Sequence, residues 1–452
     1  MNRRHSAALL AKAFGFAAIL LAVNAPAQDQ NLTIVSIGDS FASGEGNPNS
    51  FNGATATWSN TPCHRSVNNG RRIASDRINA LPNVSTAFFD FSCSGAGINT
   101  GVLNSMVSQA PETPTAVLQA QLDRVVTFQQ VTGRRIDILL VSISGNDAGF
   151  GSVVFDCMLP GNCANSTTVL NAVQRINSTV PGRLDNLANQ IATRLQNVRF
   201  VYLTEYPNPL KADNGQVCDG FTDFFTAPDN LGGIAMTGIS GEESQFLQDS
   251  FLIPLNNQLE AAAVRHAARG WRYVSGVEQT FSRHGFCNGP GQRWINTLGD
   301  SFARQGNQMG TMHPNLEGHR AYADAIIRRA TVDFNLALET PRIMDVVEIN
   351  TPFVNKRVRV EISQTAATLQ VQAQFRVRNA VEFGGAPAFN TVNMADIGGG
   401  ALNFFDAALT DTAILAPGQR IEYRFRVTFS RNGVTNTFLS ALRSIDFAEA
   451  SN

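Results

Sequence analysis

The chain carries no excess of charge of either sign, because its 452 residues contain 35 Lys and Arg against 36 Asp and Glu. Without a positive surplus there is no overall field that would attract nucleic acid or an anionic membrane surface, so neither partner is expected. The sequence also lacks C-x-x-C and H-E-x-x-H, two spacings typical of zinc sites. No metal site is therefore predicted.

Long apolar runs are absent as well, except for a short one near the amino terminus. Residues 1–27 combine basic residues, an apolar run from Phe14 to Val23 and the small-x-small sequence Ala25-Pro26-Ala27, the pattern of a signal peptide. The run is shorter than the roughly 20 residues needed to span a bilayer. We expect a signal peptide at 1–27, a mature chain without a transmembrane segment, and a secreted or periplasmic location.

Six cysteines follow this segment, an even number that suits an oxidising compartment. Their spacing suggests three disulfides between neighbours along the chain, although it leaves the connectivity open. The suggested pairs are Cys63 with Cys93, Cys157 with Cys163, and Cys218 with Cys287.

Residues 28–338 alternate short apolar runs with longer amphipathic stretches, which is typical of an α/β domain. The predicted strands are near-continuous apolar runs and indicate a parallel sheet covered by helices on both faces. These strands are Leu32–Ile37, Ala87–Phe91, Ile136–Ile143 and Phe200–Leu203. The predicted helices are Ala116–Val131, Val169–Leu195, Gln245–Arg269 and Glu317–Asn335.

Residues 340–452 have a different pattern, with alternating faces and turns of Gly, Pro and Asn. The predicted strands are Val358–Ile362, Thr368–Val377 and Arg420–Phe429, which favour a separate all-β, sandwich-like accessory domain. This segment has no cysteine and no cluster of candidate catalytic residues. A packing appendage and a binding module both remain open.

One of the predicted strands runs directly into a small polar turn, Gly38-Asp39-Ser40. A serine at the carboxyl end of a parallel strand projects into the crevice where ligands bind, and amides of the turn can face a developing oxyanion. Gly299-Asp300-Ser301 repeats the tripeptide without a long apolar strand before it, so the tripeptide alone identifies nothing. Ser40 is the candidate nucleophile because of its position.

Two further strand ends carry residues that can bind an oxyanion. Ser144-Gly145-Asn146-Asp147 follows the strand Ile136–Ile143, and the Asn146 amide can donate a hydrogen bond. Gly95 follows the strand Ala87–Phe91 and offers a main-chain donor beside Cys93. Three strand ends are thus expected to converge on one crevice.

The candidate general base is His313, which opens the loop His313-Pro314-Asn315 before a predicted helix. His64, beside Cys63, and His266, within a helical period, favour surface or structural roles. His319 lies at the start of the helix and favours capping or packing.

Taken together and in order, these segments resemble the four blocks of the SGNH (GDSL-like) hydrolases. The blocks are Gly38-Asp39-Ser40, Gly95, Gly145-Asn146-Asp147 and His313-Pro314-Asn315. Further segments resemble the secreted, disulfide-bonded esterase and lipase branch: Ser43-Gly44-Glu45-Gly46, Cys63-His64-Arg65-Ser66, Cys93-Ser94-Gly95-Ala96 and Asn146-Asp147-Ala148-Gly149-Phe150. The resemblance covers roughly residues 30–330.

The resemblance implies a three-layer α/β/α, flavodoxin-like domain and an ester hydrolase that uses no metal or organic cofactor. It implies that Ser40 attacks the ester carbonyl and that His313 accepts the serine proton. The oxyanion would be held by the main-chain amides of Ser40 and Gly95 and by the side-chain amide of Asn146. The expected partner is a small-molecule or lipid ester.

The sequence departs from the family pattern at Gly310, where many members carry an acid three residues before the histidine. The imidazole needs a partner on its second nitrogen to fix its tautomer. Asp300 is one candidate, if the loop folds back. A main-chain carbonyl near Trp294 is the other, and a Ser-His dyad of that kind is slightly favoured because Asp300 lies in a Gln- and Gly-rich stretch.

Two alternative functions stay open at the level of sequence. One is a polysaccharide O-acetyl esterase whose β domain holds an acetylated glycan; a long apolar groove would instead favour lipid substrates. The other is a non-catalytic surface binding protein that retains the fold. A non-catalytic protein of this kind would be expected to lack the nucleophile or the base, whereas Ser40, Asn146 and His313 are all present.

Overall fold

The structure is a computed structural model of the chain. The described residues are 30–220, 238–336, 343–349, 354–362, 369–378, 387–397, 404–412, 415, 419–431 and 434–446. The signal peptide expected at residues 1–27 lies outside them.

A five-stranded parallel sheet forms the centre of the amino-terminal region, with the strand order β4-β1-β7-β8-β9. Its strands are β1 (Gln30–Gly38), β4 (Val84–Asp90), β7 (Ile136–Ser142), β8 (Val198–Thr204) and β9 (Trp271–Val274). All seven residues of β7 are buried, so the central strand is covered on both faces. The predicted parallel sheet is confirmed, and β9 is an additional edge strand.

Two short hairpins lie outside this sheet. One pairs β2 (Ser50–Phe51) with β3 (Ala56–Thr57), and the other pairs β5 (Met106–Val107) with β6 (Val117–Leu118). The helix predicted from Ala116 therefore begins only at Gln121, after the second hairpin.

Helices cover both faces of the parallel sheet and complete a three-layer α/β/α arrangement. They are α1 (Ser40–Ser43), α2 (Gly70–Asn79), α3 (Gln121–Thr132), α4 (Gly145–Ala148), α5 (Phe150–Met158), α6 (Thr167–Ser178), α7 (Val180–Arg194), α8 (Gly241–Leu247), α9 (Ile253–Arg265), α10 (Val277–Thr280), α11 (Leu298–Gln305) and α12 (Leu316–Phe334). A single helix expected over Val169–Leu195 is divided into α6 and α7, because Pro181 in the first turn of α7 cannot continue the preceding helix.

In the described part of the carboxyl-terminal region, the strands form two antiparallel sheets, as predicted for an all-β segment. The first contains β10 (Ile343–Ile349), β11 (Arg357–Ile362), β14 (Ala395–Asp396) and β15 (Phe404–Ala408). The second contains β12 (Leu369–Arg378), β13 (Asn390–Asn393), β16 (Arg420–Arg431), β17 (Val434–Leu439) and β18 (Arg443–Asp446). Alternate residues of both sheets share one apolar core, which is the arrangement of a β-sandwich.

The described cysteines form three disulfides, all in the α/β region. They are Cys63–Cys93, Cys157–Cys163 and Cys218–Cys287, the pairs expected from the sequence. Among the described residues, no helix combines the length and the apolar character required to cross a membrane.

Candidate active site

Two neighbouring parallel strands end beside the turn that carries the candidate nucleophile. Gly38, the last residue of β1, pairs with Ser142, the last residue of β7. Gly38 has φ 136°, and a Cβ at this position would lie 2.0 Å from the carbonyl oxygen of Ser142. Glycine is therefore required here, because the two strand ends approach closely and bring their following turns to one edge of the sheet.

Ser40 is the first residue of α1, and its hydroxyl faces the ring of His313. The distance between Ser40 Oγ and His313 Nε2 is 2.6 Å, although the two residues are 273 positions apart in the sequence. Asp39 caps α1 by accepting a hydrogen bond of 3.1 Å from the Phe41 N–H. The fold thus brings the predicted nucleophile and the predicted base into hydrogen-bond contact.

The second nitrogen of His313 is bound to a main-chain carbonyl. His313 Nδ1 lies 2.9 Å from the carbonyl oxygen of Thr311, and a carbonyl can only accept a hydrogen bond. Nδ1 therefore carries the proton of the neutral ring, and Nε2 has a free lone pair directed at Ser40. This is the tautomer in which the histidine can take the serine proton.

Asp300 does not contact His313, and the main-chain carbonyl that does belongs to Thr311 rather than to a residue beside Trp294 in the sequence. Asp300 accepts hydrogen bonds from Arg293 at 2.6 and 2.9 Å and from the Thr297 N–H at 3.1 Å, as part of a capping box on α11. The Trp294 carbonyl accepts the Asn315 N–H at 2.8 Å. The acid predicted as a possible partner is thus committed to a local helix cap, and the carbonyl that serves belongs to Thr311.

We expect Asp300→Ala to leave kcat/KM within about threefold of wild type, because the carboxylate contacts neither Ser40 nor His313. The variant should lose about 1–2 kcal/mol of unfolding free energy with the cap and the Arg293 pair. Thr297→Ala removes the other half of the capping box and is the matched control. A loss of activity of more than about 1,000-fold, the scale for a missing triad acid, would contradict this geometry.

The three predicted oxyanion donors belong to residues that line one cavity together with His313. The Ser40 N–H is in the first turn of α1, where helix geometry leaves it without an intrahelical acceptor. Asn146 donates one amide hydrogen to the Ala96 carbonyl at 2.9 Å, which fixes the amide orientation and leaves its second hydrogen for a ligand. Gly95, with φ 82°, lines the same cavity as Ser40 and Asn146.

A buried tyrosine connects the nucleophile turn to the Asn146 turn, and the sequence interpretation did not include it. Tyr206 donates from its hydroxyl to Asp39 Oδ2 and accepts from the Gly145 N–H at 2.9 Å. Ser142 donates to the other oxygen of Asp39 at 3.1 Å. Burial raises the Asp39 pKa to about 6, although these hydrogen bonds and the charge of Arg71 oppose the rise.

A second buried group is the pair His64 and Glu45, of which only His64 was expected to be a surface or structural residue. His64 Nδ1 lies 2.8 Å from one oxygen of Glu45, His64 Nε2 lies 2.9 Å from Glu112, and the ring stacks on Trp58. Burial alone would lower the His64 pKa, but the two carboxylates outweigh it and raise the pKa to about 9. His64 is therefore a buried imidazolium with a structural role.

An apolar cavity of about 210 Å³ opens beside Ser40 and His313. Its apolar lining comes mainly from α5 and from the segment before His313: Phe150, Val154, Phe155, Met158, Leu298 and Met309. Gly95 and Asn146 line the same cavity. A carbonyl placed next to Ser40 can thus extend an apolar chain into this space.

The pKa of His313 should determine how kcat/KM changes with pH on the acidic side. Burial lowers it below 6.5, although the charge of Glu45 partly opposes the shift. Because the neutral ring is the active form, kcat/KM should hold as pH falls to 6.5 and decline only below it. Asp39, with a pKa of about 6, titrates in part of that range, so a histidine NMR titration assigned with His313→Ala accompanies the profile. A His313 midpoint above 6.5 would contradict the lowered pKa.

Comparisons with known proteins were made with the sequence and with the fold. No family model matches the chain. The chain is 27% identical over 293 residues to a curated lipase from Streptomyces rimosus, which covers 65% of this chain and 86% of that protein. It is 28% identical over 186 residues to Lipase 1 from Streptomyces coelicolor, covering 40% and 59%. The crystal structure of the extracellular lipase from Streptomyces rimosus aligns with a TM-score of 0.43 and 20% identity, over 65% of this chain and 98% of that one.

A serine hydroxyl bonded to a neutral imidazole, with amide donors at the same strand ends, is the arrangement of a serine hydrolase that transfers acyl groups. The relatives are lipases, and the match covers most of the first one. The chain is similar in sequence to these lipases and is an ester-cleaving hydrolase.

Proposed function

We propose that this protein cleaves carboxylic esters of acyl chains through a covalent acyl-enzyme on Ser40, with His313 as general base. The observation that carries the proposal is the 2.6 Å contact between Ser40 Oγ and His313 Nε2 beside an apolar cavity. Neither residue needs a large movement to begin the reaction, since both lie at this cavity in the free protein.

In the first half of the reaction, Ser40 Oγ forms a bond to the ester carbonyl carbon while its proton moves to His313 Nε2. The carbonyl oxygen becomes an oxyanion, which the N–H groups of Ser40 and Gly95 and the amide of Asn146 stabilise. The carbon–oxygen bond to the alcohol then breaks, and His313 returns the proton to the departing alkoxide. The hydrogen bond from His313 Nδ1 to the Thr311 carbonyl keeps the ring oriented. The same carbonyl stabilises the imidazolium that exists until the proton is returned.

In the second half, water attacks the acyl-Ser40 carbonyl and loses its proton to His313. The same three donors hold the second oxyanion, and the carboxylic acid leaves as Ser40 recovers its proton. These residues form a dyad with a carbonyl partner, and no step requires Asp300.

The apolar cavity supports acyl chains rather than acetyl groups as the substrate. A methylene group removed from water contributes about 0.8 kcal/mol, which corresponds to about a fourfold gain in kcat/KM for each carbon that the cavity can enclose. A cavity of about 210 Å³ has room for roughly seven groups the size of a water molecule. An acetylated glycan would leave this space empty, so the O-acetyl esterase alternative is not favoured.

The proposal is tested by hydrolysis of p-nitrophenyl esters from acetate to palmitate. We expect kcat/KM to rise through the short chains to about octanoate, because added carbons fill the cavity. Val154→Phe fills part of the cavity and should move the optimum to shorter chains. Val264→Phe, on the exposed side of α9, is the matched control and should leave the optimum in place. A kcat/KM that is highest for acetate and falls with every added carbon would indicate acetyl esters, and no hydrolysis of any ester would indicate the binding protein.

We further propose that the protein is secreted and that residues 28–338 are its catalytic domain, with residues 340–452 as an all-β accessory domain. Three disulfides in the α/β region support an oxidising compartment. Separate apolar cores in the two regions support the division into domains.

A further inference from the structure

His284 is a buried histidine outside the active site, and its ring contacts the all-β region. His284 Nε2 lies 2.8 Å from an oxygen of Glu361 on β11, and His284 Nδ1 lies 2.6 Å from the Gln292 carbonyl oxygen. Only 3% of the His284 side chain and 4% of the Glu361 side chain are exposed. A carbonyl and an ionised carboxylate both accept, so both ring nitrogens donate and the ring is an imidazolium. A buried ion pair therefore joins the two regions of the chain.

The surroundings of this ion pair are closely packed. Arg283 from the α/β region and Val347 and Arg359 from the all-β region are among the residues that line a cavity of about 10 Å³ beside it. That volume is at the lower limit for holding one water molecule. A buried ion pair adds little stability over apolar packing, but it requires one arrangement of its two groups. Glu361 therefore fixes the position of the His284 ring.

His284 in turn holds Trp294. The two rings are stacked, with centroids 3.6 Å apart and planes that differ by 2°. The Trp294 N–H donates to the His284 carbonyl at 2.9 Å, so the contact includes the main chain as well as the rings. Phe281 packs edge-to-face on the Trp294 ring, with centroids 5.5 Å apart. The position of His284 therefore determines where Trp294 lies.

Trp294 begins a short antiparallel ladder that carries the candidate base. The Trp294 carbonyl accepts the Asn315 N–H at 2.8 Å, and the Asn296 N–H donates to the His313 carbonyl at 2.9 Å. The Met312 N–H donates to the Asn296 carbonyl, also at 2.9 Å. This histidine-loop ladder consists of residues 294–296 and 312–315. The main chain on both sides of the His313 ring is thus fixed by the segment that Trp294 begins.

One residue of the histidine-loop ladder is strained. Met312 has φ 61°, in the left-handed region that a residue with a Cβ adopts only at a cost in free energy. Such a conformation persists only where the surrounding structure holds it. Met312 stands between Thr311, whose carbonyl binds the imidazole, and His313 itself. Relaxation of Met312 would therefore move the carbonyl and the ring relative to each other.

We propose that the all-β domain positions the catalytic base, and that Glu361 is the residue through which it does so. Glu361 holds His284, and the stacked Trp294 anchors the ladder that keeps His313 facing Ser40. The described residues that line the cavity beside Ser40 belong to the α/β region, so Glu361 acts through His313 rather than on the substrate. The inference rests on the ester hydrolysis proposed above, because it concerns the base of that reaction.

The test measures kcat and KM for p-nitrophenyl butyrate in variants of the full chain. Glu361→Ala should lower kcat by about 10- to 100-fold, because a displacement of His313 by about 1 Å misaligns the proton transfer. KM should stay within about twofold of wild type, since the cavity beside Ser40 keeps its lining. Glu361→Gln preserves the shape of the side chain and an acceptor for His284, so it should retain at least about a third of the wild-type kcat.

Glu422→Ala is the matched control. Glu422 is also a buried glutamate of the all-β region, and it pairs with Arg376, Arg378 and Arg420 of its own sheet. Its loss should lower the thermal stability and leave kcat unchanged. If Glu361 had only a structural role, Glu361→Ala would behave in the same way.

The tautomer of His313 provides a readout that a change in stability alone does not move. Nitrogen-15 NMR of histidine-labelled protein above neutral pH, assigned with His313→Ala, should place the wild-type proton on Nδ1. Glu361→Ala should show a population with the proton on Nε2, because the Thr311 carbonyl no longer stays in place. Glu422→Ala should keep the wild-type spectrum.

Wild-type kcat in folded Glu361→Ala would overturn the positioning proposal, while hydrolysis by the wild-type chain leaves the proposed function intact. If Glu361→Ala does not fold, Glu361→Asp takes its place, because it keeps the charge and withdraws the carboxylate by one methylene group. It should lower kcat by at least about threefold, and wild-type kcat in Glu361→Asp would overturn the proposal equally. A wild-type chain that hydrolyses no ester would overturn both proposals.

Discussion

Ser40→Ala should reduce kcat/KM for p-nitrophenyl butyrate by about 100,000-fold, to the level that binding and oxyanion stabilisation alone provide. Without the hydroxyl no acyl-enzyme can form, and water at this position is not activated in the same geometry. The cost to folding should be small, because the Ser40 side chain bonds only His313 among the described residues. Circular dichroism and thermal unfolding would verify that the variant is folded.

Ser301→Ala is the matched control, because Ser301 stands in the second Gly-Asp-Ser-Phe sequence of the chain. Its hydroxyl donates to the Asn307 carbonyl at 2.6 Å and accepts the Gly310 N–H at 2.9 Å, so the variant should lose stability. It should retain at least about a tenth of the activity. If Ser301→Ala were inactive while Ser40→Ala remained active, the nucleophile would be Ser301 and not Ser40.

His313→Ala should cost about as much as Ser40→Ala, and the double variant should cost no more than either single one. The two residues act as a unit: without the base the hydroxyl stays protonated, and without the hydroxyl the base has no proton to accept. Steady-state kinetics of the two single variants and the double variant test this non-additivity.

His266→Gln is the control for this series, because His266 follows α9 and pairs with Asp185 away from the cavity. It should retain wild-type kinetics. If the activation free energies lost in the two single variants added up in the double variant, Ser40 and His313 would not act in the same step.

The strands at the centre of the sheet were predictable because they are buried on both faces. A strand such as β7 must be apolar at every position, and Ile136–Ile143 shows this in the sequence. The edge strand β9 contains Arg272 and Tyr273, both half-buried, and therefore lacks the continuous apolar run by which the others were recognised.

The partner of His313 could not be predicted from residue types. A main-chain carbonyl has no side chain that marks it, and every residue of the loop supplies one. Asp300 is the acid that the sequence offers, but its position as third residue of α11 after Thr297 is itself a capping signal. The capping role accounts for the acid at position 300 without any contact between Asp300 and His313.

Tyr206 could have been noticed by the rule that identified Asn146. It follows the carboxyl end of β8, at the same edge of the sheet as Ser40. Its contact with Asp39 spans 167 positions, however, and no spacing in the sequence reveals a pair at that distance.

The most direct test of the account is covalent trapping of the nucleophile. The mature protein is treated with diethyl p-nitrophenyl phosphate, which transfers its phosphoryl group to an activated serine and releases p-nitrophenolate, and the modified residue is located by peptide mass spectrometry. We predict one adduct per chain, on Ser40, formed at a rate that falls sharply in His313→Ala. An adduct on any other residue, or no adduct in a protein that hydrolyses esters, would contradict it.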